Sequence, residues 1–417
     1  MAMNRIALQI IAIVIAALTL VNCAEKPCVF GSAATERQPL FRAPKAATTG
    51  VCPTNSGGGG GGGGGNNGCS STLTPADVLF GQASTGAITT LAINTGGKNL
   101  SLMCTTATAG LGQIVVANVS ATNKNFLYVL SVATNAGIRT GTLRGFAIGH
   151  VTPVTLTPVG TDLTLSGSNV LQIAEMQADP AGRFITVTDS TLNFVHVLLI
   201  DPNSGVLTEA PGSPLTVTNA LFTAVDTTGK FLYVTDNPDG EIFIFTIDLV
   251  NPMLQITNSP FLVSITPANL PISMLVSGSF LYTANDQSIS FFAIGADGSL
   301  SPVGSNLVTP VPTFNPQLLA LDPTGRFLYV TGSGTEGVLG YSINSSTGAL
   351  TIIPGGPFAA GSNVTDILPN PVGGQMYLLN AGVIEVFTVD PNSGALMPAA
   401  GASQFASSSN LATANVQ

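Results

Sequence analysis

Hydrophobic and polar positions follow a unit that recurs along most of the chain. Its clearest part is a polar turn followed by an apolar run, DPTGRFLYV at residues 322–330. Close copies are DPAGRFITV at 179–187 and DTTGKFLYV at 226–234. Asp and Gly favour a tight turn, whereas Phe, Tyr and Val suit a buried pleated strand. Each copy therefore predicts a turn that leads directly into a strand.

The copies recur at a nearly constant interval, which indicates a repeat architecture. The tyrosine position of the repeat is occupied in turn by Tyr128, Thr186, Tyr233, Tyr282, Tyr329 and Tyr377. The full unit is clearest at residues 315–354, where an inner strand, the FLYV strand, a third strand and an outer strand follow one another. A period of about 48 residues with four short strands per unit is typical of β-propeller blades.

The two ends of the array predict how the ring closes. Residues 75–103 supply a second, a third and an outer strand with no inner strand before them, while SNLATANVQ at 409–417 resembles the start of an inner strand. The predicted fold is all-β: a seven-bladed β-propeller of four-stranded blades over residues 72–417, closed by the C-terminal strand joining the first blade. Closure removes exposed strand edges, and charges that could protect such edges make up only 8% of the chain.

The repeats also resemble a known family. DPTGRFLYVTG, DTTGKFLYVTD and LYTAND are similar to the YVTN-type, lactonase-like seven-bladed propellers, whose enzymatic members include a 6-phosphogluconolactonase. The similarity covers about residues 73–417. It implies the fold, but the matching residues are turn and core positions, and no catalytic residue of the enzymatic relatives maps onto this chain.

The N-terminus carries an export signal. Arg5 precedes an apolar run at residues 6–20, which has the length of a signal peptide and is short for a membrane span. We predict a signal peptide at residues 1–22. The sequence LVNC at 20–23 resembles a bacterial lipobox, which implies a lipid on Cys23. Ordinary signal cleavage and an uncleaved anchor are the alternatives. The predicted location is the cell envelope, at the outer membrane or cell surface.

Residues 23–71 show no periodicity and include nine consecutive glycines at 57–65, so we predict a lipid-anchor cysteine followed by a disordered tether. Four further cysteines permit two disulfides in an exported protein, with the pairing left open: Cys28, Cys52, Cys69 and Cys104. A net charge of -9 with only 12 Lys plus Arg disfavours nucleic acid and anionic lipid surfaces. We expect a monomer that contacts the membrane through the lipid anchor only.

Several polar residues are candidates for ligand binding at the face where inner strands begin. An asparagine recurs near the start of six inner strands: Asn169, Asn219, Asn269, Asn315, Asn363 and Asn410. These amides could form a collar for a sugar-like or peptide ligand, or each could cap a local turn, and their repetition favours the second interpretation. Glu175 and Asp366 fall within inner strands and could face the channel, and Arg139 is predicted in an upper loop of the second blade.

A lactonase needs a general base and a group that stabilises an oxyanion. The candidate carboxylates in upper-face loops are Asp189, Asp236, Asp239 and Glu336. His150 is predicted in a loop of the opposite face, and His196 in a third strand as a core residue. Calcium could bind Asp236, Asp239 and Glu241, although their spacing does not fit an EF-hand. No other cofactor is expected.

Three functions are compatible with these patterns. The first is a non-catalytic propeller that binds a protein or glycan of the cell envelope. The second is a lactonase that hydrolyses a sugar lactone, and the third is a structural or adhesive surface protein. We favour the first because the sequence offers no clear catalytic base.

Overall fold

The computed structural model describes the part of the chain that begins at Asp77, with gaps. The described ranges are 77–82, 87–93, 100–106, 112–135, 138–149, 154–165, 173–236, 240–248, 253–256, 261–262, 271–309, 314–333, 337–358, 364–399, 405–406 and 411–415. Every regular element within them is a β-strand, and none of these ranges contains a helix long and apolar enough to cross a membrane. The predicted signal peptide, Cys23, Cys28, Cys52 and Cys69 lie outside the described residues.

The strands form seven antiparallel sheets, numbered here as blades 1 to 7. Blade 1 begins with β1 (Asp77–Gln82), β2 (Ile88–Ile93) and β3 (Leu100–Thr106). Blade 2 contains β4 (Ile114–Val119), β5 (Lys124–Asn135), β6 (Ile138–Ile148) and β7 (Leu156–Thr164). Blade 3 contains β8 (Ile173–Ala178), β9 (Phe184–Asp189), β10 (Phe194–Ile200), β11 (Leu207–Glu209) and β12 (Leu215–Thr216). Blade 4 contains β13 (Ala220–Val225), β14 (Phe231–Asp236), β15 (Glu241–Asp248), β16 (Met253–Ile256) and β17 (Phe261–Leu262).

The remaining blades repeat this order. Blade 5 contains β18 (Pro271–Ser277), β19 (Phe280–Asn285), β20 (Ser288–Ile294), β21 (Leu300–Pro302) and β22 (Leu307–Val308). Blade 6 contains β23 (Pro316–Leu321), β24 (Phe327–Gly332), β25 (Val338–Ile343) and β26 (Leu350–Ile352). Blade 7 contains β27 (Val364–Pro369), β28 (Gln375–Asn380), β29 (Val383–Val389), β30 (Leu396–Pro398) and β31 (Phe405–Ala406). In blades 3, 4, 5 and 7 the outer position is shared by two short strands, which both pair with the third strand.

The last strand closes the ring. β32 (Leu411–Asn415) pairs with β1 in antiparallel register, with Leu411 opposite Gly81 and Asn415 opposite Asp77. It supplies the inner strand that blade 1 otherwise lacks. The inner strands of successive blades lie next to one another all the way round, from β4 through β8, β13, β18, β23 and β27 to β32 and back to β4. The predicted seven-bladed propeller with C-terminal closure is confirmed.

The repeated DPTGRFLYV segment forms the turn and strand that its residues predict. The N–H of Gly325 donates to the carbonyl of Asp322 at 2.9 Å, and the Asp322 carboxylate accepts from the N–H of Phe327 at 2.7 Å. Strand β24 then has all six of its residues buried. A strand that is buried on both faces reads as a continuous apolar run, because neither face needs polar side chains.

The hydrophobic core lies between blades. Within the described residues the buried apolar side chains form seven clusters, and each cluster combines residues of two neighbouring blades. The cluster between blades 7 and 1, for example, joins Tyr377 and Leu379 to Leu79 and Leu91. Every seam of the ring therefore has its own apolar filling, including the seam that the terminal strand closes.

The tyrosine of the repeat makes a hydrogen bond across the seam to the next blade. Its phenol donates to a glycine carbonyl in the turn between the third and outer strands. Four such bonds lie between described residues: Tyr128 to Gly205 at 2.8 Å, Tyr233 to Gly298 at 3.1 Å, Tyr282 to Gly348 at 2.9 Å and Tyr329 to Gly394 at 2.8 Å. We call this contact the Tyr–Gly lock.

The glycine of the lock is required by both space and conformation. Gly394 has a φ of 74°, a backbone conformation that other residues adopt at a cost. A Cβ atom at this position would lie 2.5 Å from Cδ1 of Phe327, at the start of the tyrosine's own strand. The turn therefore packs against the Phe327 ring, and the Gly394 carbonyl accepts the hydroxyl of Tyr329. These two contacts explain why the FLYV strand and the NSG turn recur together.

Candidate functional site

The inner strands begin at the same face at which the second strands end, because the two strands are antiparallel neighbours. We call this the upper face. Near it, five inner strands carry a register shift, between Ile173 and Met176, Ala220 and Thr223, Pro271 and Ser273, Pro316 and Leu319, and Val364 and Asp366. Bulges of this kind re-aim side chains and leave backbone groups without ladder partners.

The threonine of the YVT segment satisfies the bulge. The hydroxyls of Thr188, Thr235 and Thr331 accept the N–H of Glu175 at 2.8 Å, Phe222 at 3.0 Å and Leu318 at 3.0 Å, respectively. These threonines belong to the second strands, and they also hold the bulged inner strands in place. Glu175, Phe222 and Leu318 occupy equivalent positions in blades 3, 4 and 6.

A cavity of about 330 Å³ lies among the inner strands of blades 4 to 7. Its lining is Phe222, Ile272, Gln317, Leu318, Gly332, Ser333, Val364 and Thr365. None of these eight residues is titratable: the lining is apolar with one amide and two hydroxyls. A cavity with this mixture suits an uncharged ligand that has both an apolar surface and hydrogen-bonding groups.

Glu175 lies on β8 of blade 3, beside the blade that carries Phe222. Its Oε2 accepts the N–H of Thr223 at 2.7 Å and the Thr223 hydroxyl at 3.3 Å, so it links β8 to β13. The residue is partly exposed, but its carboxyl group is surrounded by protein. Burial raises the pKa of Glu175 to about 8, and the two bonds from Thr223 oppose that rise only in part.

Asp366 makes the equivalent link at the seam between blades 7 and 1. Its Oδ2 accepts the N–H of Leu411, the first residue of β32, at 2.6 Å, and its Oδ1 accepts the N–H of Ile367 at 2.9 Å. Burial raises the pKa of Asp366 to about 6, against the effect of these two bonds. Both inner-strand carboxylates thus bind the inner strand of the next blade. They lie in blades 3 and 7, which are not neighbours, and each is engaged at its own seam.

Only two of the six asparagines lie within the described residues. Asn219 has a φ of 45° and donates its N–H to Oδ1 of Asn193 at 2.8 Å. The carbonyl of Asn315 accepts the N–H of Ser333 at 2.9 Å. Both contacts use backbone groups of the two asparagines, so they assign no role to the side-chain amides. The other four asparagines, Asn169, Asn269, Asn363 and Asn410, lie outside the described residues.

The candidate catalytic carboxylates Asp189 and Asp236 are the last residues of β9 and β14, and both are buried. Oδ1 of Asp189 accepts the N–H groups of Thr191 at 3.0 Å and Leu192 at 3.1 Å, as expected of an aspartate that shapes a turn. Asp239 and Glu336 lie outside the described residues.

The calcium candidates are only partly described. Asp236 and Glu241 face each other across the β14–β15 hairpin. No group of three His, Cys, Asp or Glu side chains in the described ranges is placed to hold a metal ion. Arg139 lies on β6 opposite Thr134, and Cys104 lies on β3, with neither side chain among those described.

His196 is a buried residue of the third strand of blade 3, as its alignment predicts. Its Nδ1 lies 2.7 Å from Oε1 of Glu209, which also accepts the hydroxyl of Ser213 at 3.0 Å. The histidine is fully buried in the blade. His150 lies outside the described residues.

Comparison with known proteins agrees with this geometry. Residues 264–365 match the family model described as Lactonase, 7-bladed beta-propeller. The match covers about a quarter of the chain, and the described residues form a seven-bladed β-propeller. No curated protein matches it.

Solved structures share the fold of this propeller. A candidate 6-phosphogluconolactonase from Bacteroides uniformis is 16% identical with a TM-score of 0.65, and covers 81% of this chain and 99% of its own. Another from Bacteroides fragilis is 18% identical with a TM-score of 0.65, covering 82% and 99%. The periplasmic gluconolactonase of Pseudomonas aeruginosa is 17% identical with a TM-score of 0.63, also covering 82% and 99%. At these identities the likeness concerns the fold.

The sequence does not mark four of the cavity-lining residues as candidates: Phe222, Gln317, Ser333 and Thr365. A signal for three of them was present, because they follow the recurrent asparagines by two or three residues. Phe222 follows Asn219, Gln317 follows Asn315 and Thr365 follows Asn363. The asparagine marks the turn, and the bulge that comes after it presents the wall.

Proposed function

We propose that this lactonase-like propeller is an exported binding scaffold of the cell envelope, which holds an uncharged partner in the cavity among the inner strands of blades 4 to 7. The partner is a neutral glycan or a peptide segment. The observation that supports this is the lining of the cavity: Phe222, Ile272 and Leu318 give it apolar walls, and Gln317 and Thr365 provide neutral hydrogen-bonding groups. Binding requires such groups, whereas hydrolysis also requires a base.

Export and anchoring are supported by the sequence. The apolar run at 6–20 and the LVNC segment support secretion with a lipid on Cys23, and the glycine-rich tether would hold the propeller away from the membrane. A test is to follow incorporation of a radiolabelled fatty acid into the expressed protein and its Cys23→Ala variant. Label in the parent and none in the variant supports the anchor, and equal labelling refutes it.

The binding function is tested by calorimetric titration of the purified protein with a panel of neutral oligosaccharides and uncharged peptides. We expect a saturable interaction with one class, weakened at least tenfold by Phe222→Ala and little changed by Val372→Ala, an exposed residue of a turn at the opposite face. No binding by either class, or binding that is indifferent to Phe222, refutes the cavity as the site and favours a structural or adhesive role.

Lactone hydrolysis is the second candidate, favoured by two observations. Glu175 has a pKa raised to about 8, so it could supply a proton near neutral pH, and similar folds carry gluconolactonase names. We expect no hydrolysis of gluconolactone or of phosphorylated gluconolactone above the spontaneous rate. A clear rate that is lost in Glu175→Gln or Asp236→Asn would overturn the binding proposal.

A further inference from the structure

One carboxyl oxygen of Glu175 is held in place by the protein and the other is open. Oε2 accepts the N–H of Thr223 at 2.7 Å and its hydroxyl at 3.3 Å, and the backbone N–H of Glu175 donates to the hydroxyl of Thr188 at 2.8 Å. Oε1 has no hydrogen-bond partner among the described residues, and it is not sealed from solvent. A carboxyl inside a channel is surrounded by protein and is still open to the water of that channel. The structure therefore presents a fixed carboxyl oxygen to a hydrogen-bond donor.

The second inner-strand carboxylate, Asp366, differs in this respect. Its Oδ2 accepts the N–H of Leu411 at 2.6 Å, and its Oδ1 accepts the N–H of Ile367 at 2.9 Å. Both of its oxygens therefore have a partner within the protein. Of the two carboxylates, Glu175 is the one with an oxygen that has no partner in the part of the chain that the structure describes.

The inner strands that form the channel wall carry acidic residues and no basic one. The seven strands contain Glu175 and Asp366 and no Lys, Arg or His. The second strands beside Glu175, β9 and β14, end in Asp189 and Asp236 and also contain no basic residue. Burial raises the pKa of Glu175 to about 8, and a cation beside Oε1 would lower that pKa again. The group that complements this wall is therefore a donor with a positive charge, because a desolvated carboxylate is costly without one.

Glu175 also lies beside the cavity. Thr223, which binds Oε2, directly follows the cavity-lining Phe222. Only two covalent bonds separate the Cα atom of Phe222 from the nitrogen of Thr223, so Oε2 lies about 5 Å or less from that Cα atom. A ligand that contacts Phe222 inside the cavity therefore has one end close to Glu175.

We propose that Glu175 binds the α-ammonium group at the amino terminus of a peptide whose first side chains are apolar and lie in the cavity. This inference rests on the proposed function and selects the peptide from its two ligand classes. The ammonium donates to Oε1, the apolar side chains contact Phe222 and Leu318, and Gln317 and Thr365 bond the peptide backbone. The part of the ligand inside the cavity stays uncharged, as the lining requires. An amino sugar also carries an ammonium, but its ring hydroxyls would meet mainly apolar walls.

The test is calorimetric titration of the full-length protein at about pH 7, where an α-amino group is mostly protonated. The probes are tripeptide amides that begin with Ala, Val, Leu, Ile or Phe, each as the free amine and as its N-acetyl form. We expect saturable binding of at least one free amine. Acetylation should weaken it at least about tenfold, because a hydrogen bond to a charged group is lost. In Glu175→Gln the free amine should bind as weakly as the acetylated form binds the parent, and acetylation should have no further effect.

Asp297→Asn is the matched control, because it removes one negative charge from an exposed turn at the opposite face and should leave the affinity unchanged. Peptide binding that is indifferent to acetylation overturns the ammonium site, and the proposed function stands if that binding still depends on Phe222. Binding of glucosamine oligomers and of none of the peptides overturns the choice of a peptide. No binding of any probe overturns this inference together with the proposed function. If Glu175→Gln does not fold, the comparison of free and acetylated peptides in the parent decides alone.

Discussion

Removing one phenol oxygen from the Tyr–Gly lock tests the main account of how the blades are joined. Tyr329→Phe deletes the hydroxyl that donates to Gly394 across the seam between blades 6 and 7, and leaves the ring in place. Tyr329 is completely buried, so water cannot replace the lost donor. The Gly394 carbonyl then loses its partner. We expect the free energy of unfolding to fall by about 1–3 kcal/mol, the usual cost of an unsatisfied buried group.

Blade 6 also contains a matched control. Tyr341 is buried to the same degree, but its hydroxyl has no hydrogen-bond partner among the described residues. Tyr341→Phe removes the same atom from a similar environment and should leave the free energy of unfolding unchanged or increase it, because an unpaired hydroxyl costs free energy when buried.

The assay is urea denaturation followed by tyrosine fluorescence and circular dichroism, with all variants measured at the same pH. The lock predicts that Tyr329→Phe is less stable than Tyr341→Phe by at least about 1 kcal/mol. Equal stabilities would mean that the phenol–carbonyl contact contributes nothing beyond the packing of the ring. The recurrence of tyrosine in the repeat would then need another explanation.

Three further outcomes follow. Gly394→Ala should lower the free energy of unfolding by about 1–3 kcal/mol in the same assay, because its Cβ meets the Phe327 ring, and a neutral effect would contradict the turn geometry. Because the pKa of Glu175 is raised in the folded state, the stability it contributes is present in full below pH 4.5 and is lost as pH rises through about 8. Glu175→Gln should abolish this loss, which is on the order of 5 kcal/mol at most, in melts recorded from pH 4 to pH 9. Asp366→Asn should likewise remove a smaller loss, on the order of 3 kcal/mol at most, between pH 3.8 and about pH 6, and an unchanged pH profile would contradict the burial of that carboxyl.

The fold could be predicted from the sequence because its signals are local and repeated. Asp322, Gly325 and the FLYV run define one turn and one strand within ten residues, and each further copy adds independent support. The closing strand was predictable for a similar reason, since residues 409–417 resemble inner-strand starts and blade 1 lacked one. Repetition converts weak local preferences into a reliable count of blades.

The site could be predicted only in part, because its contacts join residues far apart in the chain. The sequence marks Glu175 and Asp366 as inner-strand carboxylates, but their partners Thr223 and Leu411 are 48 and 45 residues away. In the sequence, Tyr329 looks like an ordinary core residue. Its partner Gly394 is 65 residues further along the chain, so only the folded structure shows that the two residues form a lock. Asp189 was predicted in a loop as a candidate catalytic carboxylate. In the structure it ends β9, and its carboxylate binds the N–H groups of the following turn.

The pairing of β32 with β1 has a consequence for the order of events in the cell. During synthesis blade 1 emerges early as a three-stranded sheet, and its missing neighbour is translated only after all the other blades. One edge of β1 is therefore unpaired, and able to pair with another extended chain, until β32 leaves the ribosome. The closed ring of blades can therefore form only after β32 has been translated. Carboxyl-terminal fusions or proteolytic trimming should then affect maturation more than changes of similar size within any outer turn.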